Sequence, residues 1–136
     1  MSYYGTTIND SPVIAGVAAA DLSGAEFLAA KFDSNGKIVK ASTAGECVLG
    51  LLGAEEGNHK AGETVSVQIK ECGLWKAGGS IAAGAELATD ANGKAVTADE
   101  GDYILAIALE AGSSNDVIKV QIVKSGYVPV EASAED

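Results

Sequence analysis

An all-β domain, a small barrel or sandwich built from two quasi-repeated hairpin units, is what this 136-residue chain predicts. Three observations predict it. A turn-and-strand motif occurs twice: Asp33-Ser34-Asn35-Gly36-Lys37-Ile38-Val39-Lys40-Ala41 returns as Asp90-Ala91-Asn92-Gly93-Lys94-Ala95-Val96-Thr97-Ala98, a constant 57 residues later. Each copy is led by Gly-Ala-Glu and an apolar residue (Gly24 to Phe27, Gly84 to Leu87) and closed by Val-Gln-Ile at residues 67–69 and 120–122. Such self-similarity marks one supersecondary unit used twice and packed on itself. Short apolar or alternating runs also follow one another closely, with turn residues between them. No segment carries a helical stripe; residues 15–20 would make one turn, bracketed by Gly16 and Gly24.

Residues 1–15 mix Tyr3, Tyr4, Ile8, Val13 and Ile14 with Gly5, Asn9, Asp10, Ser11 and Pro12, without a steady period. They read as an N-terminal arm, poorly ordered in isolation. The other reading is an extra edge strand on the same domain. The β domain spans residues 16–130, with units at about 16–73 and 78–126.

In the first unit, residues 26–32 read as a strand. Asn35-Gly36 tolerates positive φ, so residues 37–41 return as its hairpin partner. The run Glu46-Cys47-Val48-Leu49-Gly50-Leu51-Leu52 reads as a strand buried on both faces, and residues 54–62 as a polar loop. Val65, Val67 and Ile69 alternate with Thr64, Ser66, Gln68 and Lys70, the pattern of a half-buried strand.

The second unit repeats the hairpin at residues 86–90 and 94–98, then the doubly buried strand at 103–109. Its last strand, residues 117–123, turns Ile118, Val120 and Ile122 inward. The tail, residues 131–136, is small and acidic and is expected to be disordered.

The apolar fraction, 47%, overstates the core. It includes 24 Ala, and the chain holds 30 Val, Leu and Ile, 7 aromatics and 17 Gly. A buried Val, Leu or Ile contributes roughly 1.5–3 kcal/mol and an alanine far less. A core this thin suits a protein that gains stability by burying surface in an oligomer or on a partner.

The net charge is −10, arginine is absent, and nine lysines are scattered without a patch. Nucleic acid and anionic membranes are therefore excluded as partners. No run approaches the ~18 apolar residues of a membrane span. Residues 1–10 lack the basic start and apolar stretch of a secretory signal, which predicts cytoplasmic synthesis.

No chemistry can be assembled from what remains. His59 is the one histidine, in a loop expected to be solvated, and with Glu55, Glu56 or Glu63 it makes a weak metal set. Cys47 and Cys72 form no Cys-x-x-Cys pair and read as two small buried thiols. Neither has the flanking signature of a nucleophile paired with His59. Gly78-Gly79-Ser80 is followed by no Gly-Lys-Ser/Thr. No catalytic residue, cofactor site or metal site is predicted. Trp75 joins the two units, either as a core plug between them or as an exposed anchor for a partner.

The order of features then becomes informative: strand, Asp-Ser-Asn-Gly-Lys, strand, Gly-Glu-Cys-Val-Leu-Gly-Leu-Leu-Gly-Ala, loop, alternating strand, Cys72-Gly73-Leu74-Trp75. Over residues 16–126 this resembles the capsid decoration (cement) proteins of tailed bacteriophages, both the lambda type and a related family of small Ala/Gly-rich head proteins. The resemblance implies a non-enzymatic virion protein, made in the bacterial host cytoplasm. It implies a β-rich barrel or tulip-like body that forms a trimer on the outer surface of an expanded head, bound to the major capsid protein. An arm that orders on the shell would correspond here to residues 1–15, with Tyr3, Tyr4, Ile8, Pro12, Val13 and Ile14 as capsid contacts. The acidic tail has no counterpart. Two rivals stand beside it. A carbohydrate- or host-surface-binding module would need a platform of exposed aromatics. A lipoyl or biotinyl carrier would use Lys37 or Lys94, which lack the sequence surroundings of those families.

Overall fold

The computed structural model describes residues 11–53 and 59–130. Its ten strands are β1 (Val13–Val17), β2 (Ala29–Phe32), β3 (Ile38–Lys40), β4 (Gly50–Leu52), β5 (Thr64–Gln68), β6 (Glu71–Lys76), β7 (Glu86–Thr89), β8 (Ala95–Thr97), β9 (Tyr103–Ala108) and β10 (Val117–Tyr127). They form two five-stranded antiparallel sheets, ordered β1-β5-β4-β2-β3 and β6-β10-β9-β7-β8. Adding five to each strand number of the first order gives the second. The chain is all-β, and among the described residues there is no helix.

The repeated hairpins are built by local chemistry. Asp33 Oδ1 accepts hydrogen bonds from the amides of Asn35 at 2.8 Å and Lys37 at 2.9 Å. Asp90 Oδ1 does the same for Asn92 and Lys94, both at 2.8 Å. The aspartate thus holds the turn while Gly36 (φ +77°) and Gly93 (φ +84°) take the left-handed conformation that closes it.

The structure moves several expected boundaries. Residues 13–15, placed in the arm, belong to β1, which pairs with β5 from Val13↔Gln68 to Val17↔Thr64. Without β1, β5 would present an unpaired edge, and Ile14 packs against the first-half core. Pairing with β5 therefore claims this segment for the body. The junction between halves is at residues 69–70, not 73–78, so Cys72 to Trp75 start the second half. There Glu71 adopts φ +70°, and the Gln68 side-chain amide donates to the carbonyls of Lys70 (2.9 Å) and Cys72 (2.7 Å). β2 begins at Ala29 instead of residue 26, after Phe27 breaks the extended chain at φ +67°.

Two apolar clusters make the core. One belongs to the first half and includes Leu22, Leu28, Ile38, Leu52, Val65 and Val67. The other spans both halves and joins Val48 and Leu51 to Trp75, Leu87, Leu105 and Val120. Ile118, Val120 and Ile122 all point inward, as their alternation requires. The halves are also tied by backbone. Ala29 N donates to Gly93 O (2.8 Å), Lys76 N to Phe27 O (2.9 Å), Gly45 N to Thr89 O (2.8 Å) and Tyr103 N to Gly45 O (3.0 Å).

Three side chains depart from expectation. Cys47 and Cys72 are both exposed. Cys47 lies ahead of β4, outside the buried stretch Gly50–Leu52. Cys72 shares the outward face of edge strand β6 with Leu74, opposite Trp75. His59, expected in solvent, is buried among Leu22, Ala25, Leu52 and Val65, and its carbonyl accepts the Leu22 amide at 2.6 Å.

Candidate functional site

Of the expected contact residues, Tyr3, Tyr4 and Ile8 lie outside the described residues, as do residues 131–136. Pro12 and Val13 are exposed at the start of β1, whereas Ile14 turns partly into the body's own core. Trp75 is fully buried, and its Nε1 donates to Gly93 O at 2.8 Å. Lys94 is held by Asn115 Oδ1 at 2.8 Å on a hairpin whose Gly93 is buried against the first half. It is not presented as a swinging arm. Among the described residues no group of three His, Cys, Asp or Glu is placed to hold a metal ion.

What the sheets do assemble is a cleft. Of the five described aromatics, three are exposed: Phe32 at 48%, Tyr103 at 43% and Tyr127 at 56%. The Tyr103 and Tyr127 rings stand 5.6 Å apart, tilted by 56°. Tyr103 borders a depression of about 170 Å³ whose walls include Cys47, Val48, Ile104, Leu105 and Lys124. A shallower trough continues from Cys47, Val48 and Lys124 to Lys31, Phe32 and Leu49. The surface therefore crosses both halves.

Two local devices shape it. On the first-half side, Glu46 holds the loop that leads to Cys47. Its Oε2 accepts the amides of Ser42 (2.8 Å) and Thr43 (3.0 Å), while Oε1 pairs with Lys31 Nζ at 2.7 Å. Burial opposes ionisation of Glu46, but the lysine and the two amides outweigh it and hold the carboxyl below its ordinary value.

On the second-half side, β10 bulges. Ile122 pairs with Ala106 and Gly126 with Ile104, so residues 123–125 face the single residue 105. Lys124 takes φ +45° and Gly126 φ +94° there. Bulges of this kind re-aim side chains, and this one sets Lys124 over the apolar floor. The lysine keeps solvent contact. Removal of water by that floor still pushes its pKa below the ordinary lysine value, against the opposite pull of Cys47.

Cys47 lies beside Lys124 in this depression, and the lysine is within ion-pair distance of no carboxylate among the described residues. Sequence reasoning missed the cleft because its walls come from four separate segments. The available signal was Gly126, a glycine interrupting the end of an alternating strand, which marks a bulge.

The family model for phage cement proteins matches residues 5–123. The chain belongs to the phage cement protein family, structural proteins of the virion's capsid surface. Among solved structures it is similar to the N base of head fiber gp8.5 in bacteriophage phi29, with a TM-score of 0.60 at 17% identity. The match covers 84% of this chain and 95% of that one. At that identity the likeness speaks to the fold alone. No curated protein matches the sequence.

Proposed function

We propose that this chain decorates the outer surface of an expanded phage head, binding the major capsid protein as a trimer and bracing the shell without enzymatic activity. The observation that carries the reading is the cement-family match across residues 5–123. The physical character of the molecule supports it. A thin, Ala- and Gly-rich core gains from association. Many copies on a repeating shell need only modest affinity each. A net charge of −10 disfavours nucleic acid and anionic surfaces as partners.

In this reading the N-terminal segment engages the shell through Tyr3, Tyr4, Ile8, Pro12 and the exposed face of Val13, as a strand added to a capsid sheet edge. Ile14 serves the body. The test is truncation that stops before β1. Removing residues 2–11 is expected to leave the oligomer's mass by light scattering unchanged and to abolish co-sedimentation with undecorated expanded heads. Normal decoration by the truncated protein would refute the arm's role, and failure of the intact chain to decorate would refute the reading itself.

A carbohydrate-binding reading gains exposed aromatics from the structure, but Trp75 is buried and the two tyrosines are tilted rather than coplanar. A glycan-binding screen separates the two.

A further inference from the structure

We propose that the cleft between Phe32 and the Tyr103–Tyr127 pair is a second docking surface, and that it takes an extended shell-protein segment bearing a carboxylate flanked by apolar residues. The inference rests on the capsid-decoration reading and names a contact distinct from the N-terminal segment. Four observations carry it. In an aromatic-poor chain, Tyr103 lines the depression, Tyr127 stands beside it at 5.6 Å between rings, and Phe32 lines the adjoining trough, all three exposed. Exposed aromatics over apolar residues are the composition of interface anchors. Val48, Ile104 and Leu105 supply a floor that water covers poorly.

The charge pattern selects the occupant. Lys31 is already matched by Glu46, whereas no described carboxylate is within ion-pair distance of Lys124. The β10 bulge sets that lysine over the apolar floor, where an occupant that excludes water weakens screening and makes a charge-assisted hydrogen bond count for more. A carboxylate fits it, and apolar neighbours on the same segment fit the floor and the rings.

The two exposed thiols make the test internal. Cys47 lines the cleft, and Cys72 lines a separate depression beside Leu74. The full-length protein is pulsed with a small alkylating reagent, free and bound to undecorated expanded heads, and each cysteine is followed by peptide mass. Binding is expected to slow Cys47 about tenfold or more and to leave Cys72 within about twofold. Lys124→Glu is expected to weaken head binding about tenfold and Lys124→Gln by less, with thermal unfolding unchanged in both.

Equal protection of the two thiols, or a bound Cys47 alkylated at its free rate, would overturn the assignment. Cys47 already protected in concentrated free protein would make the occupant a second copy, and protection by glycans would make it a sugar; either overturns it. Failure of the wild-type chain to sediment with heads sinks the capsid reading together with this one. Normal sedimentation with Cys47 still reactive sinks this one alone.

Discussion

The two halves share a strand order but fill it in opposite ways. Gly16 pairs with Val65 in the first half, and Trp75 pairs with Ile118 at the matching place in the second. Two residues on, Ala18 bridges to Ile38 and Ala77 to Ala95. Gly16 therefore packs on Ile38 in one sheet, while Trp75 and Ala95 occupy the matching positions in the other and share its core. Large and small have exchanged strands. Interior packing density leaves no room for two large residues and tolerates no void from two small ones. A duplicated fold can thus diverge by compensating volumes while its backbone order stays fixed.

The hairpin tips diverge with it. Gly36 is exposed, with nothing within 4 Å of where a Cβ would stand. Gly93 is buried, and its carbonyl accepts both Trp75 Nε1 and Ala29 N at 2.8 Å. One tip is free; the other is the bolt between the halves.

The largest way to break this comparison is Trp75→Ala. It empties the site that the second half fills with its biggest side chain and removes one of the two donors to Gly93 O. The expected loss is about 3–5 kcal/mol, read from the urea midpoint. A loss below about 1 kcal/mol would show that the second core does not depend on the tryptophan.

Gly93→Ala against Gly36→Ala comes next. Both glycines have positive φ, so both substitutions cost about 1–2 kcal/mol of left-handed strain. At Gly93 the new methyl would also meet Lys40 Cγ at 3.1 Å, Leu28 Cβ at 3.2 Å and Ala29 O at 3.3 Å. Gly93→Ala is expected to cost about 1–3 kcal/mol more than Gly36→Ala, through crowding between the halves. Equal midpoints for the two variants would deny the tip its role as a junction.

A double-mutant cycle sharpens the volume exchange itself. A Cβ on Gly16 would stand 2.5 Å from Ile38 Cγ1 and 2.9 Å from Cδ1. Gly16→Ala alone is expected to cost about 1–3 kcal/mol by overpacking. Ile38→Ala removes both contacting carbons, so the double variant should cost less than the sum, with a coupling of about 0.5–3 kcal/mol. Strict additivity in the melting curves would mean that the two residues do not share one space.

Legibility followed the range of the interactions. The hairpins at residues 33–41 and 90–98 could be read because Asp, Asn and Gly bond and bend within five residues. Ile118, Val120 and Ile122 could be read because alternation is a property of one strand. β1 could not be preferred over an arm and stood only as the alternative edge strand, since Val13–Val17 is a strand only by pairing with β5, some fifty residues on. Nor could one read the exposure of Cys47, set by the Glu46 clamp, or the aim of Lys124, set by a mismatch between β10 and β9. Every part of the cleft depends on such distant pairings. The family's architecture was therefore accessible from the sequence, and the cleft was not.

The smallest effect concerns acids that cap turns, and it also separates the halves. Glu46 Oε2 accepts the Thr43 amide, and in the second half Asp102 Oδ2 accepts the Asp99 amide at 2.9 Å, again three residues back. Only the longer glutamate also reaches a lysine. Its pKa in the folded state is lowered, so its stabilisation is present at neutral pH, above the unfolded value near about 4.3. That contribution is lost as pH falls through the folded value. Glu46→Asp should keep the turn but lose Lys31, and Glu46→Gln should lose the charge altogether. The expected costs are about 0.2–1 kcal/mol at pH 7, shrinking below pH ~4. In Glu46→Gln the acid limb of the unfolding midpoint should flatten without vanishing, because Asp33 is also held below its ordinary value, chiefly by the Lys37 amide. An unaltered acid limb in Glu46→Gln would show that the Lys31 pair contributes nothing to stability and that the loop before Cys47 is held by other contacts.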